Sequence, residues 1–194
     1  MNLDLDILRI ISNDIKPATG KILISEPLLN DAYFARSVVY LVDDKDESYM
    51  GLILNNPTDV KLSDVLDGFD HVDFKLYIGG PVEPDVLFYI HTIPDILGAD
   101  LIADGIYFGG DLDQIRDMSK NGIINKSNIR FFLGSSGWAP GQLNEEISFN
   151  SWLVTNCNHE FIFSNADEMW TESLHFVEER YKIWRNFPID PDLN

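Results

Sequence analysis

The chain has 194 residues, enough for one well-packed core and short for two. Its hydrophobic content of 45% and aromatic content of 12% are those of a folded protein rather than a disordered one. Against 14 basic residues stand 32 acidic ones, for a net charge of −18. That field repels nucleic acid and anionic membrane, since phosphate binding depends on Lys and Arg displacing counterions.

The first residues, "MNLDLDILRIISNDIKPATG", put Asp4 and Asp6 where a signal peptide carries positive charge, and no apolar run has the length of a membrane span. A cytoplasmic protein is expected. Leu3, Ile7, Leu8, Ile10 and Ile11 give a partly helical pattern, so residues 1–19 read as an arm or short helix packed on the domain or on a neighbouring subunit. The domain itself runs over 20–187, and 188–194 form a polar tail.

"KILIS", "SVVYLVDD" and "YMGLILNN" are rich in β-branched and large apolar residues and read as strands. "KLSDVLDGF" predicts a short helix capped by Ser63 or a nearby polar residue. "KLYIGGPVEPDVLFYIHTI" predicts two strands around a Gly-Gly-Pro turn. "LIADGIYFGGDLDQIRDMSKNG" predicts two more short strands, then a helix from near Asp111 to Asn121-Gly122. "LYIGGPVEPDVL" and "IYFGGDLDQIRD" echo one another, which a shared turn explains better than a repeat.

"IRFFLGSS" and "SWLVTN" read as strands. Between them "GSSGWAPGQLNEEI" predicts a tight corner anchored by Trp138, with Pro140 in the first turn of a helix. Trp170, Leu174, Val177, Tyr181 and Trp184 form one helical stripe in "ADEMWTESLHFVEERYKIWRNF", broadened by Met169, Phe176 and Ile183. A long C-terminal amphipathic helix follows, deeply buried or shared with a second copy in a homo-oligomer. Strands and helices mix without regular βαβ alternation, which favours α+β over a doubly wound sheet.

No local pattern supplies a reaction. His71, His91, His159 and His175 lie in no metal-binding spacing, and His91 in "FYIHTIP" suits a structural imidazole better than a ligand-facing one. Cys157, the single cysteine, permits no intrachain disulfide and reads as a small core residue. "DDKDES" lacks the glycine and final glutamate of an EF-hand loop and reads as a solvated turn. The glycine-rich stretch fails three comparisons. Gly134, Ser136 and Gly137 miss the nucleophile-elbow spacing by one residue. Gly141 is followed by Gln142 and Leu143 rather than the Lys of a P-loop, and the glycines are not spaced for a dinucleotide. Glu145 and Glu146, early in the next helix, would also repel a phosphate.

Taken together, "GKILISEPLLNDAYFARSVVYLV", "GLILNNPT", "YIGGPV", the later His91, "GGDLDQI" and "RFFLGSSGWAPGQLNEEI" resemble the bacterial YqgE/AlgH family over about Gly20 to Leu174. The sequence departs from that family in three places. Asp43-Asp44 stand where a histidine is usual, Asn56 replaces the arginine of "LNRP", and "GSSGW" replaces "GYAGW". The resemblance implies a single compact α+β domain with a bifurcated or barrel-like, mostly antiparallel sheet and flanking helices. It also brings a transcriptional-regulator label, attached to a phenotype of exopolysaccharide synthesis in one lineage, with no helix-turn-helix or basic surface here to support it.

The expectation is a non-enzymatic regulatory or interaction protein acting through a protein partner, without cofactor, metal or direct nucleic-acid binding. The alternative is a small-molecule binder or enzyme whose pocket draws on Arg36, Asn55, Gly79, Gly80, His91, Trp138 and Gln142.

Overall fold

The structure is a computed structural model and describes residues 13–187. Its strands are β1 (Ile22–Ser25), β2 (Val38–Asp43), β3 (Tyr49–Ile53), β4 (Pro57–Lys61), β5 (Lys75–Ile78), β6 (Val82–His91), β7 (Ala99–Ala103), β8 (Ile106–Gly109), β9 (Ile129–Trp138) and β10 (Trp152–Thr155). Its helices are α1 (Leu62–Val65), α2 (Leu112–Lys120), α3 (Gln142–Ser148), α4 (His159–Ile162) and α5 (Met169–Ser173), followed by a 3-10 segment over Glu179–Asn186.

The strands form one mixed sheet of order β10-β1-β2-β3-β9-β6-β8-β7, with β4 pairing β5 and β5 pairing β9. All pairings are antiparallel except β5 with β9. Every residue of β1 and β10 is buried, and apart from the terminal Ser25 and Thr155 all are apolar without alternation, because both faces are covered. Ile22, Ile24, Tyr40 and Leu52 pack against α5 and the 3-10 segment, while Leu23, Val39, Leu41 and Ile53 pack against Trp138, Trp152 and Leu143 of α3. A further cluster, with Leu62, Phe69, Phe74, Ile115 and Phe131, joins α1 and α2 to β5 and β9.

β9 is where the sheet divides. Along one edge it meets β6, from Val82↔Ser135 to His91↔Ile129. Along the other it meets β5 at Phe131 to Leu133 and then β3 at Ser136 to Trp138. The change of partner happens at Gly134, whose φ is 70°. A Cβ there would stand 2.6 Å from the Gly80 carbonyl oxygen, and one on Gly79 would stand 2.2 Å from the Gly134 oxygen. Ser136 Oγ donates to the Gly79 oxygen across the same crossing at 2.9 Å. "YIGGPV" and "LGSSGW" are thus the two halves of one backbone crossing that leaves no room for a Cβ on Gly79, Gly80 or Gly134.

Several local expectations hold. Asp111 caps α2 by accepting from the Gln114 N–H at 2.9 Å, and Asn121 closes the helix. β7 and β8 form a hairpin through Asp104-Gly105, both with positive φ as its tight turn requires. In α1 the cap is the Asp64 carboxylate, which accepts from the Lys61 N–H at 2.9 Å, rather than Ser63.

β5 and β6 flank the Gly-Gly-Pro turn as expected, and β9 is inserted between them and pairs with both. Other expectations are corrected. The echo between the two Gly-Gly segments ends at the glycines, the first leading into β6 and the second into α2. "GSSGW" is not a corner but the bent second half of β9, and α3 begins at Gln142, beyond Pro140.

The long C-terminal helix is two pieces, α5 and the 3-10 segment. Trp170, Leu174, Tyr181 and Trp184 are buried as the stripe implied, but inside this chain's own core. Residues 1–12 of the arm and the tail 188–194 lie outside the described residues. Asn13, at the arm's described end, is buried and exchanges hydrogen bonds with the backbone of Val154, so its side chain pairs with β10 as a neighbouring strand would.

Candidate functional site

Pairing with β3 brings the end of β9 beside the start of β10, so Trp138 and Trp152 become neighbours, ring centroids 6.0 Å apart and nearly perpendicular. Phe34 joins them at 6.0 Å from Trp138 and 5.5 Å from Trp152. Its loop is held by Asp31, whose carboxylate accepts from the N–H groups of Tyr33 and Phe34 at 2.8 and 3.0 Å. Each indole is buried and needs an acceptor for its N–H. One carboxylate oxygen of Glu146 on α3 serves both, at 2.9 Å from Trp138 Nε1 and 2.8 Å from Trp152 Nε1. Its other oxygen accepts from Gln142 Nε2 at 2.9 Å, and Gln142 Oε1 accepts from the Ala139 N–H at 3.0 Å.

These groups line a cleft of about 350 Å³, completed by Leu29, Pro81, Gly137 and Ser151. Pro81 follows directly on Gly80, so the backbone crossing also places one wall of the cleft. With both indoles buried, the partly exposed Phe34 ring and the exposed Asp31 carboxylate are what the cleft presents, and they suit an apolar or cationic group by area burial and charge.

The seven residues singled out in the sequence go to several places. Trp138 and Gln142 share this cleft. Arg36 and Asn55 meet elsewhere: Asn55 Nδ2 donates to the Arg36 carbonyl and its Oδ1 accepts from the Val38 N–H, both at 2.9 Å. The Arg36 guanidinium lies 4.5 Å from the Trp170 ring centroid and donates to the Phe187 carbonyl at 2.6 Å. Gly79 and Gly80 belong to the crossing.

His91 opposes Ile129 at the far end of β9, nine residues from Trp138, up to about 30 Å along the strand. It is buried, stacked on Tyr107, and has both nitrogens committed to backbone. Nε2 donates to the Gly109 carbonyl at 3.0 Å, and Nδ1 accepts from the Ile93 N–H at 3.2 Å. Burial pushes its pKa down, only the Nε2–H bond to Gly109 opposing the shift, an arrangement that fits a structural, neutral imidazole. Burial with Asp104 nearby likewise pushes the Cys157 thiol up to about 12, leaving it protonated and unreactive at neutral pH.

Sequence reasoning missed Phe34, Trp152 and above all Glu146, read only as a helix-start charge. The available signal was the i, i+4 spacing of Gln142 and Glu146 beside two tryptophans that would need acceptors. It also missed Arg130, which is 5% exposed on β9. Among the described residues, no helix is long and apolar enough to cross a membrane.

A bifurcated, mostly antiparallel sheet flanked by short helices defines a single-domain α+β protein of half-barrel form. The chain belongs to the AlgH-like family, whose profile matches residues 22–182. It is 42% identical to a UPF0301 protein of Bacteroides thetaiotaomicron and 43% identical to one of Bacteroides fragilis, over the whole of both chains in each case. Its fold is similar to a crystal structure from Corynebacterium diphtheriae, with a TM-score of 0.76, 22% identity, and 96% of this chain and 100% of that one covered. It is also similar to the solution structure of the AlgH protein of Pseudomonas aeruginosa, with a TM-score of 0.67, 26% identity, and 86% of this chain and 94% of that one covered.

Proposed function

We propose that this protein is a non-enzymatic interaction protein that docks a segment of a partner protein in the Trp138 cleft. The observation that carries the reading is the aromatic trio Phe34, Trp138 and Trp152, held by Glu146 around a cleft of about 350 Å³. Preformed aromatic pockets of this kind are where interface energy concentrates. Asp31 and Glu146 on the lining, in a chain of net charge −18, favour a partner segment that presents a Lys or Arg beside an apolar side chain. Any effect on transcription would then pass through such a partner rather than through direct DNA contact.

The test is site-specific photo-cross-linking in cells from position 142, where Gln142 is exposed on the cleft. One reproducible protein adduct is expected, reduced by Asp31→Asn, which keeps an acceptor for the loop N–H groups and removes the charge. An adduct that forms equally well from exposed position 101, on edge strand β7, would refute the reading.

A further inference from the structure

A second cleft, independent of the Trp138 site, lies where the start of β5 and the start of β9 meet the chain between α4 and α5. Its volume is about 270 Å³, and its lining includes Lys75, Tyr77, Lys126, Arg130, Asn165 and Asp167. Arg130 is buried and Lys75 and Lys126 are exposed, so one cation lies deep in the cleft and two stand towards solvent.

The surroundings of Arg130 are unusual for a buried charge. Its Nη1 donates to the Leu54 carbonyl at 2.9 Å and its Nη2 to the Ser164 carbonyl at 2.6 Å, and the guanidinium lies 4.5 Å from the Tyr77 ring centroid. Among the described residues, no carboxylate forms an ion pair with it; Asp167 lines the same cleft without doing so. Carbonyl dipoles and a ring face orient a cation but leave its charge uncompensated in a poorly solvated place. Burial pushes its pKa down accordingly.

Most of the neighbouring charges have the same sign. Lys126 and Lys61 share one carboxylate, Asp73, at 3.4 and 3.1 Å, and Lys75 has no ion pair among the described residues. Lys61, Lys75, Lys126 and Arg130 therefore outnumber Asp73 and Asp167, in a chain where acids exceed bases by 32 to 14. Local positive charge in an acidic protein is what holds an anion in one place while the rest of the surface repels it.

We propose that this cleft binds a small molecule through a phosphate group, seated on Arg130 between Lys75 and Lys126. Arginine suits the role because its planar fork can bind two phosphate oxygens while part of it stays engaged with the protein. The volume exceeds what one phosphate fills and leaves space along Pro57 and Asn165 for the body that carries it.

Titration of the full chain with inorganic phosphate and with adenosine monophosphate, followed by amide NMR at constant ionic strength, tests this. Saturable shifts are expected at positions 75, 126, 130, 165 and 167, with the nucleotide binding at least as tightly as phosphate. Arg130 also supports the sheet, so a variant there risks misfolding. The double variant Lys75→Glu, Lys126→Glu alters exposed side chains only and is expected to weaken binding about tenfold or more. Non-saturating shifts scattered over the lysines and arginines, or undiminished affinity in the double variant, would overturn the site. A nucleotide that binds more weakly than phosphate would overturn the assignment of the remaining volume to an organic body.

Discussion

The indole of Trp184 stacks on that of Trp170, with ring centroids 6.5 Å apart and planes within 8°. Along an unbroken helix, these two positions would be separated by about 21 Å. The chain can bring them together only by folding back between Ser173 and Glu179, where α5 ends and the 3-10 segment begins. Tyr181 closes the group edge-on to Trp184 at 5.6 Å, and the Arg36 guanidinium lies against Trp170.

Truncating this stack removes a large buried surface, so Trp184→Ala is expected to cost about 3–5 kcal/mol in urea unfolding. Trp184→Phe keeps an aromatic face and is expected to recover part of that. A loss below about 1 kcal/mol for the alanine variant would contradict the packing described for Trp184.

Glu146 joins two buried indole N–H groups with one oxygen. Glu146→Ala leaves both without this acceptor and is expected to lower stability by about 2–3 kcal/mol, with a shift in tryptophan fluorescence. Glu146→Gln retains one acceptor oxygen and is expected to lose about 1 kcal/mol. Equal stability of the two variants would show that the carboxylate does not hold the tryptophans.

Gly134 and Gly98 both have positive φ, 70° and 75°, but a Cβ on Gly134 would meet the Gly80 oxygen while one on Gly98 meets nothing within 4 Å. Gly98→Ala is therefore expected to cost only the backbone strain, about 1 kcal/mol. Gly134→Ala adds a backbone collision and is expected to cost at least about 2 kcal/mol more, read from thermal or denaturant unfolding. Equal costs would mean that the crossing tolerates a side chain.

The buried titratable groups set opposite limits on pH stability. His91 has its folded pKa lowered, so its contribution is present above about 6.5 and is lost as pH falls below that value. His91→Gln is expected to flatten the decline between pH 6.5 and 5. Cys157 and Tyr40 have folded pKa values raised by burial, so the unfolded chain releases their protons first and stability falls as pH rises above about 9. Cys157→Ser is expected to reduce that alkaline loss, and alkylation of native Cys157 at pH 8 to be at least about a hundredfold slower than in the unfolded chain.

With a net charge of −18, the isolated protein is expected to pass through a non-specific DNA column at about 50 mM salt. Retention there would reverse the argument from charge.

What local chemistry decides was legible in the residues. The apolar runs of β1 and β2, the Asp111 cap and Asn121 end of α2, and the Asp104-Gly105 hairpin all follow from neighbours a few positions apart. The ordered motifs identified the family, and the structure supplies their physical content, since the Gly-Gly and GSSG segments touch only in the fold.

Tertiary structure decided the rest. The stripe from Trp170 to Trp184 was correctly apolar, yet its helical period could not reveal a fold-back rewarded only by contacts with Arg36 and the sheet. Phe34, Trp138, Glu146 and Trp152 lie on four separate elements and converge because β9 changes partner at Gly134. Arg130 read as one residue of a strand until Leu54 and Ser164, 76 and 34 positions away, showed it to be a buried cation held by carbonyls. Periodicity and capping act within a few residues, whereas a site forms where distant segments exclude water together.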